Sequence, residues 1–443
     1  MRESILVTFI CKDEMYTIKR QNSLPVFPGY HSFPGGKVDD IDYQSDWPSK
    51  HPLTKNHPAH LINALRRELI EEMNVDLGDL IKEEKILELN AVGVAVTPDF
   101  NPYRFKNYYY VIAVKEKPII KIEDREIEYG EWKKPKDLLQ SYFENKILIV
   151  PPMRKMIEAM DKGELNIQHD FELSYDRENE VPMIESLFGV KQFLPLSHTF
   201  PPANRTNCFL IGDHKKVCID PSPRDQEEYN KLKNSLSRFG VDFFMLSHHH
   251  PDHHEYATQL AFDFKVGIGL SEDSKKRIEE KWGSDYFKNI AVTILQEGMV
   301  LTRSNKKDIV LYAVPGHDEG QLALAPIDLS WFIVGDLIQS VGTVVIGAPE
   351  GDMKKYFSSL QKVIDLNPSY IIPSHGIALG GVHRLRETLL HRLDREKKIK
   401  ELLIENKSEK EILDILYKDL PEYLHIYALK TIAAHVIKIN SEK

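Results

Sequence analysis

The sequence predicts an α/β multidomain protein, and three observations support that fold class. The chain has 443 residues, a length that corresponds to roughly three ordinary domains. Strand-like and helix-like segments alternate up to about residue 380, as they do in layered α/β domains. Beyond that point only helical periodicity remains. We therefore expect domains at 1–162 and 186–380, a polar linker at 163–185 and a helical tail at 381–443.

Composition narrows the functional classes. The formal net charge of -9 provides no global positive field that would attract nucleic acid. Three cysteines in a chain of this length do not form a disulfide framework, which indicates a reducing compartment. The sequence shows no signal peptide and no run of 18 apolar residues. We expect a cytoplasmic protein with no membrane partner.

The first segment combines short strands with one long helix. Ile5–Cys11 and Met15–Lys19 read as strands around a charged turn. A helix from about Pro58 to Met73 carries leucines at i,i+4 spacing, and Asn74 is suited to end it in a left-handed conformation. Residues 43–57 read as an exposed loop. Further strands are expected at 91–96 and 108–114, and a further helix from Pro151.

The predicted helix carries three carboxylates on one surface. Glu68, Glu71 and Glu72 follow i, i+3 and i+4 spacing, which places like charges close together. A cation would offset their repulsion, and Mg²⁺ prefers oxygen ligands of this kind. A solvated acidic helix face is the alternative interpretation.

Two stretches around this helix resemble the Nudix box. They are 36–42, preceded by Phe33-Pro-Gly-Gly36, and 67–75, with Asn74 in place of glycine and an insertion between them. The stretch 28–47 is similar to the Nudix-type motif 19 acyl-CoA diphosphatases. Which of Asp39, Asp40 or Asp42 takes the first acidic role stays open.

The resemblance to Nudix hydrolases implies a Nudix α/β/α sandwich with a diphosphatase site. Glu68, Glu71 and Glu72 would ligate Mg²⁺ or Mn²⁺, and Arg67 would orient Glu71. The implied substrate is a nucleoside diphosphate derivative, with CoA or an acyl-CoA as the leading candidate. A Nudix fold that only binds a ligand is the alternative.

A histidine-rich turn dominates the second domain. Ser247-His-His-His-Pro-Asp-His-His254 follows an apolar strand at 242–246, and a turn at a strand end can direct several side chains into one cleft. Histidine and aspartate suit a borderline metal such as Zn²⁺. Two metals need more ligands, and His317, Asp336 and His375 each follow an apolar or Pro-Gly approach. The alternative is a surface turn that binds adventitious metal.

The pattern His248-x-His250-x-Asp252-His253, followed by single His, Asp and His residues, resembles the metallo-β-lactamase superfamily. That resemblance implies a metallo-β-lactamase αββα sandwich with two Zn²⁺ ions. Asp252 would also handle the proton of the attacking water, and Asp220 would be a buried residue that braces the ligand loop. The implied zinc ligands are His248, His250 and His317 for one ion, Asp252, His253 and His375 for the other, and Asp336 as the bridge.

The tail narrows the resemblance further. Thr206-Asn-Cys-Phe-Leu210 and the stretches at 391–392, 416–425 and 433–437 look like the β-lactamase-like protein 2 group and its winged-helix-like C-terminal tail. This group implies either a single-stranded RNA endonuclease or a thioesterase. Lys and Arg barely outnumber Asp and Glu in the tail, which disfavours a tail that grips RNA.

Taken together, the sequence predicts a bifunctional metal-dependent hydrolase. In one hypothesis it degrades CoA compounds, with a diphosphatase site and a thioesterase site. In a second it processes RNA, with the first domain removing a nucleotide-type cap. In a third it is regulatory, with only the di-zinc site catalytic. The oligomeric state is left open.

Overall fold

The computed structural model divides the chain into two compact units. It describes residues 1–44, 47, 51–101, 104–164 and 167–442. Unit 1 comprises Met1–Ser174 with Ser186–Phe188, and unit 2 comprises Tyr175–Glu185 with the chain from Gly189 onward. Parts of the predicted insertion and of the predicted linker, at 45–46, 48–50 and 165–166, lie outside the described residues. The separate bounds of linker and tail stay predictions.

Unit 1 is built on one mixed sheet. The long strands β1 and β5 pair in parallel at its centre, and β4 pairs antiparallel with β5. The order is β3-β2-β1-β5-β4-β7, and β6 pairs with β2. The strands are β1 (Arg2–Cys11), β2 (Glu14–Arg20), β3 (His31–Ser32), β4 (Ile86–Val96), β5 (Phe105–Val114), β6 (Ile127–Lys133) and β7 (His169–Asp170).

Helices cover both faces of this sheet. On β5, Tyr110 and Ile112 face one apolar cluster while Tyr109 and Val111 face the other, as the two-residue period of a strand requires. The first cluster contains α1 and α2, and the second contains α3 and α4. Asn74 ends α1 with a φ of 55°, as predicted. The helices are α1 (Ala59–Met73), α2 (Leu77–Lys82), α3 (Pro135–Phe143) and α4 (Pro151–Asp161), with a short 3₁₀ turn at Asp40–Tyr43.

The loop predicted at 43–57 is less exposed than expected. Thr54 is buried, and Leu53 packs against the cluster that contains α1. The short helix α2, which follows α1 after three residues, was not predicted, because six residues are too few to show a helical period.

Unit 2 contains two sheets. In the first, β8 to β14 lie side by side in sequence order, and β11 to β14 are parallel. The second sheet runs in order from β15 to β20. The strands are β8 (Met183–Leu187), β9 (Val190–Phe193), β10 (Cys208–Ile211), β11 (Val217–Ile219), β12 (Phe243–Met245), β13 (Gly267–Leu270), β14 (Val292–Ile294), β15 (Val300–Ser304), β16 (Lys307–Ala313), β17 (Leu322–Pro326), β18 (Phe332–Gly335), β19 (Tyr370–Pro373) and β20 (Leu379–Gly380).

Helices flank both sheets of unit 2. One apolar cluster joins α5, α7 and α8 to the first sheet, and another joins α9 and parts of α10 and α12 to the second. The three tail helices also share a core of their own. The helices are α5 (Gln226–Ser237), α6 (Pro251–His254), α7 (Ala257–Phe264), α8 (Glu272–Trp282), α9 (Met353–Leu366), α10 (His383–Ile404), α11 (Glu409–Leu416) and α12 (His425–Ser441), with a 3₁₀ turn at Glu422–Leu424.

Two further sequence predictions can be compared with the structure. All three cysteines are free thiols and all are buried. Among the described residues, no helix combines the length and the apolar character that crossing a bilayer requires.

Candidate active site

The histidine-rich turn begins directly after the buried strand β12. Asp220, at the end of the neighbouring strand β11, accepts hydrogen bonds from the amide of Ser247 at 2.7 Å and from its hydroxyl at 2.6 Å. The same carboxylate lies 2.9 Å from Nδ1 of His253. Asp220 is itself buried. It therefore braces the turn that carries the first four predicted ligands, as the sequence led us to expect.

The three remaining predicted ligands enter from the second sheet. His317 follows β16, Asp336 follows β18 and His375 follows β19. Gly316 precedes His317 with a φ of 132°, and a Cβ atom there would collide with the backbone of Tyr356. Only glycine allows the chain to pass α9 this closely before it presents His317.

The first group of donors consists of three imidazoles. Nε2 of His248 and Nε2 of His317 each lie 3.0 Å from Nδ1 of His250. Three nitrogen atoms that face one point at this spacing match the ligand set of a tetrahedral zinc site with one open position.

The second group combines a carboxylate with two imidazoles. Oδ2 of Asp252 lies 3.6 Å from Nε2 of His375 and 3.8 Å from Nε2 of His253. Asp336 lies between the groups: its Oδ2 is 3.7 Å from Nε2 of His317, and its Oδ1 is 3.3 Å from Nε2 of His375. The structure therefore brings all seven predicted zinc ligands together, with one oxygen of Asp336 directed at each group.

Two buried atoms show that this donor set fits metal ions. Nε2 of His253 and Oδ1 of Asp336 are both inaccessible to solvent and have no hydrogen-bond partner. A buried polar atom without a partner costs about 1–3 kcal/mol. A cation shared by these two atoms and their neighbours would remove that cost.

The outer nitrogens of four histidines are held in place. Nδ1 of His248 lies 3.0 Å from the hydroxyl of Ser247, and Nδ1 of His253 lies beside Asp220. Nδ1 of His317 donates to the carbonyl of Val345 at 2.9 Å, and Nδ1 of His375 donates to the carbonyl of Arg205 at 3.0 Å. A carbonyl can only accept, so the last two contacts fix the tautomers that direct Nε2 into the site.

Comparison with known proteins places this site in a family. Residues 201–375 match the family model of the metallo-β-lactamase superfamily. This stretch contains all seven donors. Residues 201–375 form a metallo-β-lactamase domain. The chain is a metal-dependent hydrolase, and the family match does not extend to unit 1.

Relatives of the domain come from several organisms. A β-lactamase-like protein 2 homologue of Drosophila melanogaster is 25% identical and covers 54% of this chain and 82% of its own length. A hydroxyacylglutathione hydrolase of Baumannia cicadellinicola is 28% identical and covers 37% of this chain and 57% of its own length. The structure of a β-lactamase domain protein from Burkholderia ambifaria is 18% identical with a TM-score of 0.50, and covers 61% of this chain and 91% of its own length. That likeness supports the shared fold.

Burial and charge set the protonation states in the metallo-β-lactamase domain. Burial holds the pKa values of His248 and His250 well below the usual range, so both rings are neutral and free to donate a lone pair. Burial also opposes protonation of His253, but the carboxylates of Asp252, Asp220 and Asp336 outweigh it and raise its pKa to about 10. A metal ion that binds His253 must displace this proton, so the affinity of the site for metal falls at low pH.

A cleft opens above the donors. It has a volume of about 300 Å³, and His250, Asp252, His317 and Asp336 contribute to its lining. The segment 198–200, the stretch 339–350 and helix α12 of the tail supply further lining residues. The tail therefore forms part of the wall of the metallo-β-lactamase cleft.

Several residues around the metallo-β-lactamase site were not found in the sequence. Gln339 donates to Oδ2 of Asp336 at 3.3 Å, and the buried carboxylate of Asp318 contacts Nδ1 of the buried His249. His254 contacts the hydroxyl of Tyr286 rather than the metal donors. The sequence offered one indication that Asp318 lies near the site, namely its position directly after His317. No local pattern in the sequence indicated that Gln339 contacts Asp336.

The carboxylates of unit 1 have a different geometry. Arg67 binds Asp42 through Nε at 3.1 Å and Nη2 at 2.9 Å, and Nη1 contacts Glu68 at 2.7 Å and Glu71 at 3.1 Å. Glu72 accepts a hydrogen bond from the amide of Gly35 at 2.7 Å. Within the described residues, the three glutamates do not form a group whose donor atoms all lie within 4.8 Å of each other.

The geometry of unit 1 distinguishes the three aspartates that the sequence left open. Asp42 is buried and makes two hydrogen bonds with Arg67. Asp39 and Asp40 are both exposed, and the carboxylate of Asp39 lies 3.7 Å from Nη2 of Arg67. Burial raises the pKa of Glu72 to about 8 and that of Glu68 to about 6. Arg67 therefore has Asp42 as its main partner, and the two glutamates are carboxyls whose charge is poorly solvated.

Proposed function

We propose that the metallo-β-lactamase domain is a di-zinc thioesterase acting on a small acyl thioester. The observation that carries this proposal is the pair of donor groups joined by Asp336 at the floor of a cleft of about 300 Å³. Hydroxyacylglutathione hydrolases among the relatives favour a thioester as the bond attacked. A cleft of this volume suits a small molecule.

The proposed roles of the residues follow from their positions. His248, His250 and His317 would hold one ion, and Asp252, His253 and His375 the other, with Asp336 shared. The ions would supply the Lewis acidity that makes water a nucleophile at neutral pH and polarises the acyl carbonyl.

Asp252 is the proposed proton carrier. Its carboxylate lines the cleft and is more accessible than the donor atoms of His253 and His375. It is therefore placed to accept a proton from the attacking water and to deliver it to the departing thiolate.

The test is a hydrolysis assay on the zinc-loaded full chain with a short acyl thioester and with a single-stranded RNA. We expect thioester hydrolysis in the wild type, and its loss together with zinc in His250→Ala. His391→Ala, which replaces an exposed tail histidine, is the matched control. Cleavage of RNA but not of thioester, abolished by His250→Ala, would replace this proposal by the endoribonuclease alternative.

We further propose a Mg²⁺- or Mn²⁺-dependent diphosphatase site in unit 1, with CoA or an acyl-CoA as substrate. Two observations favour it: Arg67 is fixed by Asp42, and burial disfavours the charged forms of Glu68 and Glu72, a cost that a bound cation would offset. Glu68, Glu71 and Glu72 would hold the cation, which would position the diphosphate for attack by water.

Release of 4′-phosphopantetheine from CoA in the presence of Mg²⁺ tests the second site. We expect Glu72→Gln to abolish it and Glu83→Gln, an exposed glutamate on the next helix end, to leave it unchanged. If Glu72→Gln retains the activity, or if the wild type binds CoA without cutting it, unit 1 is not a diphosphatase of this kind.

A further inference from the structure

The tail helix α12 places one lysine in the cleft of the metallo-β-lactamase domain. Lys430 lines the cleft together with Tyr427, which lies one helical turn earlier. In the described part of the chain, no carboxylate lies within 4.0 Å of the Lys430 ammonium. Its neighbours at i−4, i−3, i+3 and i+4 are Ile426, Tyr427, Ala433 and Ala434, none of them acidic.

The backbone of Lys430 is held close to the metal donors. A Cβ atom added to Gly347 would lie 2.8 Å from Cβ of Lys430, so only glycine allows the loop and the helix to approach this closely. The same loop carries Val345, whose carbonyl accepts from Nδ1 of His317. The loop at 345–347 therefore contacts both Lys430 and the predicted zinc ligand His317. This shared contact fixes the position of the Lys430 backbone relative to the donor atoms.

Aromatic side chains adjoin the lysine. The rings of Phe200 and Tyr427 meet edge to face, with centroids 4.1 Å apart, and both line the cleft. The other cleft residue able to carry a positive charge outside the donor set, His198, lies 2.9 Å from Glu255. The carboxylate of Glu350 also lines the cleft but forms no ion pair with Lys430. Among the described residues, the cleft thus offers one ammonium without an ion-pair partner, beside the rings of Phe200 and Tyr427.

We propose that Lys430 binds a carboxylate of the substrate, so that the enzyme selects acyl thioesters carrying one negative charge next to an apolar segment. This inference rests on the proposed thioesterase function. A single ammonium matches a single carboxylate, whereas a nucleic acid strand requires a row of cations along its backbone. The carboxylate has two possible sources, the acyl group and the thiol.

Three thioesters distinguish these sources. S-butanoyl-N-acetylcysteamine is neutral, S-butanoyl-N-acetylcysteine carries its carboxylate on the thiol, and S-succinyl-N-acetylcysteamine carries it on the acyl group. We expect the wild type to prefer one of the two acids. In Lys430→Met, the ratio of kcat/KM for that acid to kcat/KM for the neutral thioester should fall about tenfold, through KM, since a charge-assisted hydrogen bond is lost.

Two variants serve as controls. Lys430→Arg should retain most of the preference because it keeps the charge, and Lys418→Met removes an exposed tail lysine that does not line the cleft and should leave the ratio unchanged. Zinc content and circular dichroism establish that each variant is folded, and Lys430→Gln replaces Lys430→Met if the latter misfolds. An unchanged ratio in a folded Lys430 variant overturns the proposal, as does a wild type without preference for either acid.

The experiments can distinguish an error in the proposed thioesterase function from an error in the proposed role of Lys430. If the wild type hydrolyses none of the three thioesters, the proposed function is wrong, and binding then tests Lys430. Titration calorimetry would compare S-butyl-N-acetylcysteine and S-(3-carboxypropyl)-N-acetylcysteamine with neutral S-butyl-N-acetylcysteamine on the zinc-loaded protein. Tighter binding of one acid by about tenfold, lost in Lys430→Met, supports the lysine subsite. Equal affinities for all three thioethers exclude it.

Discussion

The two candidate sites of this protein assemble their residues in opposite ways. The histidine site of unit 2 draws its donors from one turn and three separate strand ends, and their ligand atoms face each other at 3.0–3.8 Å. The carboxylate site of unit 1 lies on one helix, yet only Glu68 and Glu71 share a partner, Nη1 of Arg67, whereas Glu72 turns away to the amide of Gly35. Proximity in sequence therefore does not ensure convergence of side chains, because like charges on a helix separate when other partners are available.

The two sites also differ in whether the protein itself supplies partners for their polar atoms. In unit 2, buried atoms of His253 and Asp336 have no hydrogen-bond partner, so the protein itself does not complete the site. In unit 1, Arg67 already supplies a cation to Asp42, Glu68 and Glu71. We infer that unit 2 depends on its ions for local stability and that unit 1 depends on them much less.

Separating the two activities should give the largest effect. Asp336→Asn removes a charge directed at both donor groups, and we expect thioester hydrolysis to fall roughly a thousandfold while CoA hydrolysis is retained. Glu72→Gln should give the reverse pattern. Parallel assays of both variants on both substrates provide the measurement. Loss of both activities in either variant would show that the sites are not independent and would end the comparison.

Removing the brace of the ligand turn should be the next largest effect. Asp220→Ala leaves the amide and hydroxyl of Ser247 and Nδ1 of His253 without their acceptor. We expect a loss of about 3 kcal/mol in the free energy of unfolding and fewer zinc ions bound per chain. Urea unfolding and elemental analysis measure these two quantities. Asp414→Asn, at an exposed tail position, should change neither; full zinc content in Asp220→Ala would contradict the bracing role.

The stability of unit 1 should depend on pH through His31. Burial lowers the pKa of His31 to about 3, and its Nε2 lies 3.0 Å from the Tyr129 hydroxyl. In the unfolded chain the imidazole of His31 takes up a proton near pH 6.5, whereas in the folded chain it stays neutral down to about pH 3. The contribution of His31 to the free energy of unfolding is therefore complete above pH 6.5 and declines as the pH falls toward 3.

Between pH 7 and pH 5 the expected loss from His31 is about 2 kcal/mol. Hydrogen exchange of unit 1 peptides in urea at the two pH values measures it. His31→Gln should abolish most of this loss, and His214→Gln, an exposed histidine, should not. A slope that persists in His31→Gln would assign the titration to another group.

The smallest effect tests how the tail supports the histidine site. Arg392 of α10 is buried and donates to the carbonyl of Val344 at 2.5 Å, and the next carbonyl, of Val345, orients His317. Arg392→Met should lower zinc affinity about tenfold, near 1.4 kcal/mol, as loss of an indirect support does. Competition with a zinc chelator measures it. Arg386→Met, at an exposed position near the start of α10, is the control, and equal affinities in both variants would show that the tail does not act on His317.

Local patterns in the sequence predicted much of the fold. The strand at 242–246 and the helix ending at Asn74 were found because two-residue and 3.6-residue apolar periods are properties of short segments. The stretch beyond residue 380, where the sequence shows only helical periodicity, forms the helices α10, α11 and α12. The helix at Leu77–Lys82 and the buried Thr54 were missed, because six residues show too little periodicity and a loop's burial depends on what packs over it.

What the sequence determined by itself was the chemistry of the donors and the order in which they occur. Histidine and aspartate at the ends of apolar strands are informative because parallel neighbours such as β18 and β19 end at the same edge of a sheet, which brings Asp336 and His375 together. Only the tertiary structure decided which aspartate binds Arg67, that Val345 orients His317 and that Lys430 reaches the cleft. These contacts join segments distant in the chain, and they depend on how whole helices pack against a sheet, which no local pattern of residues records.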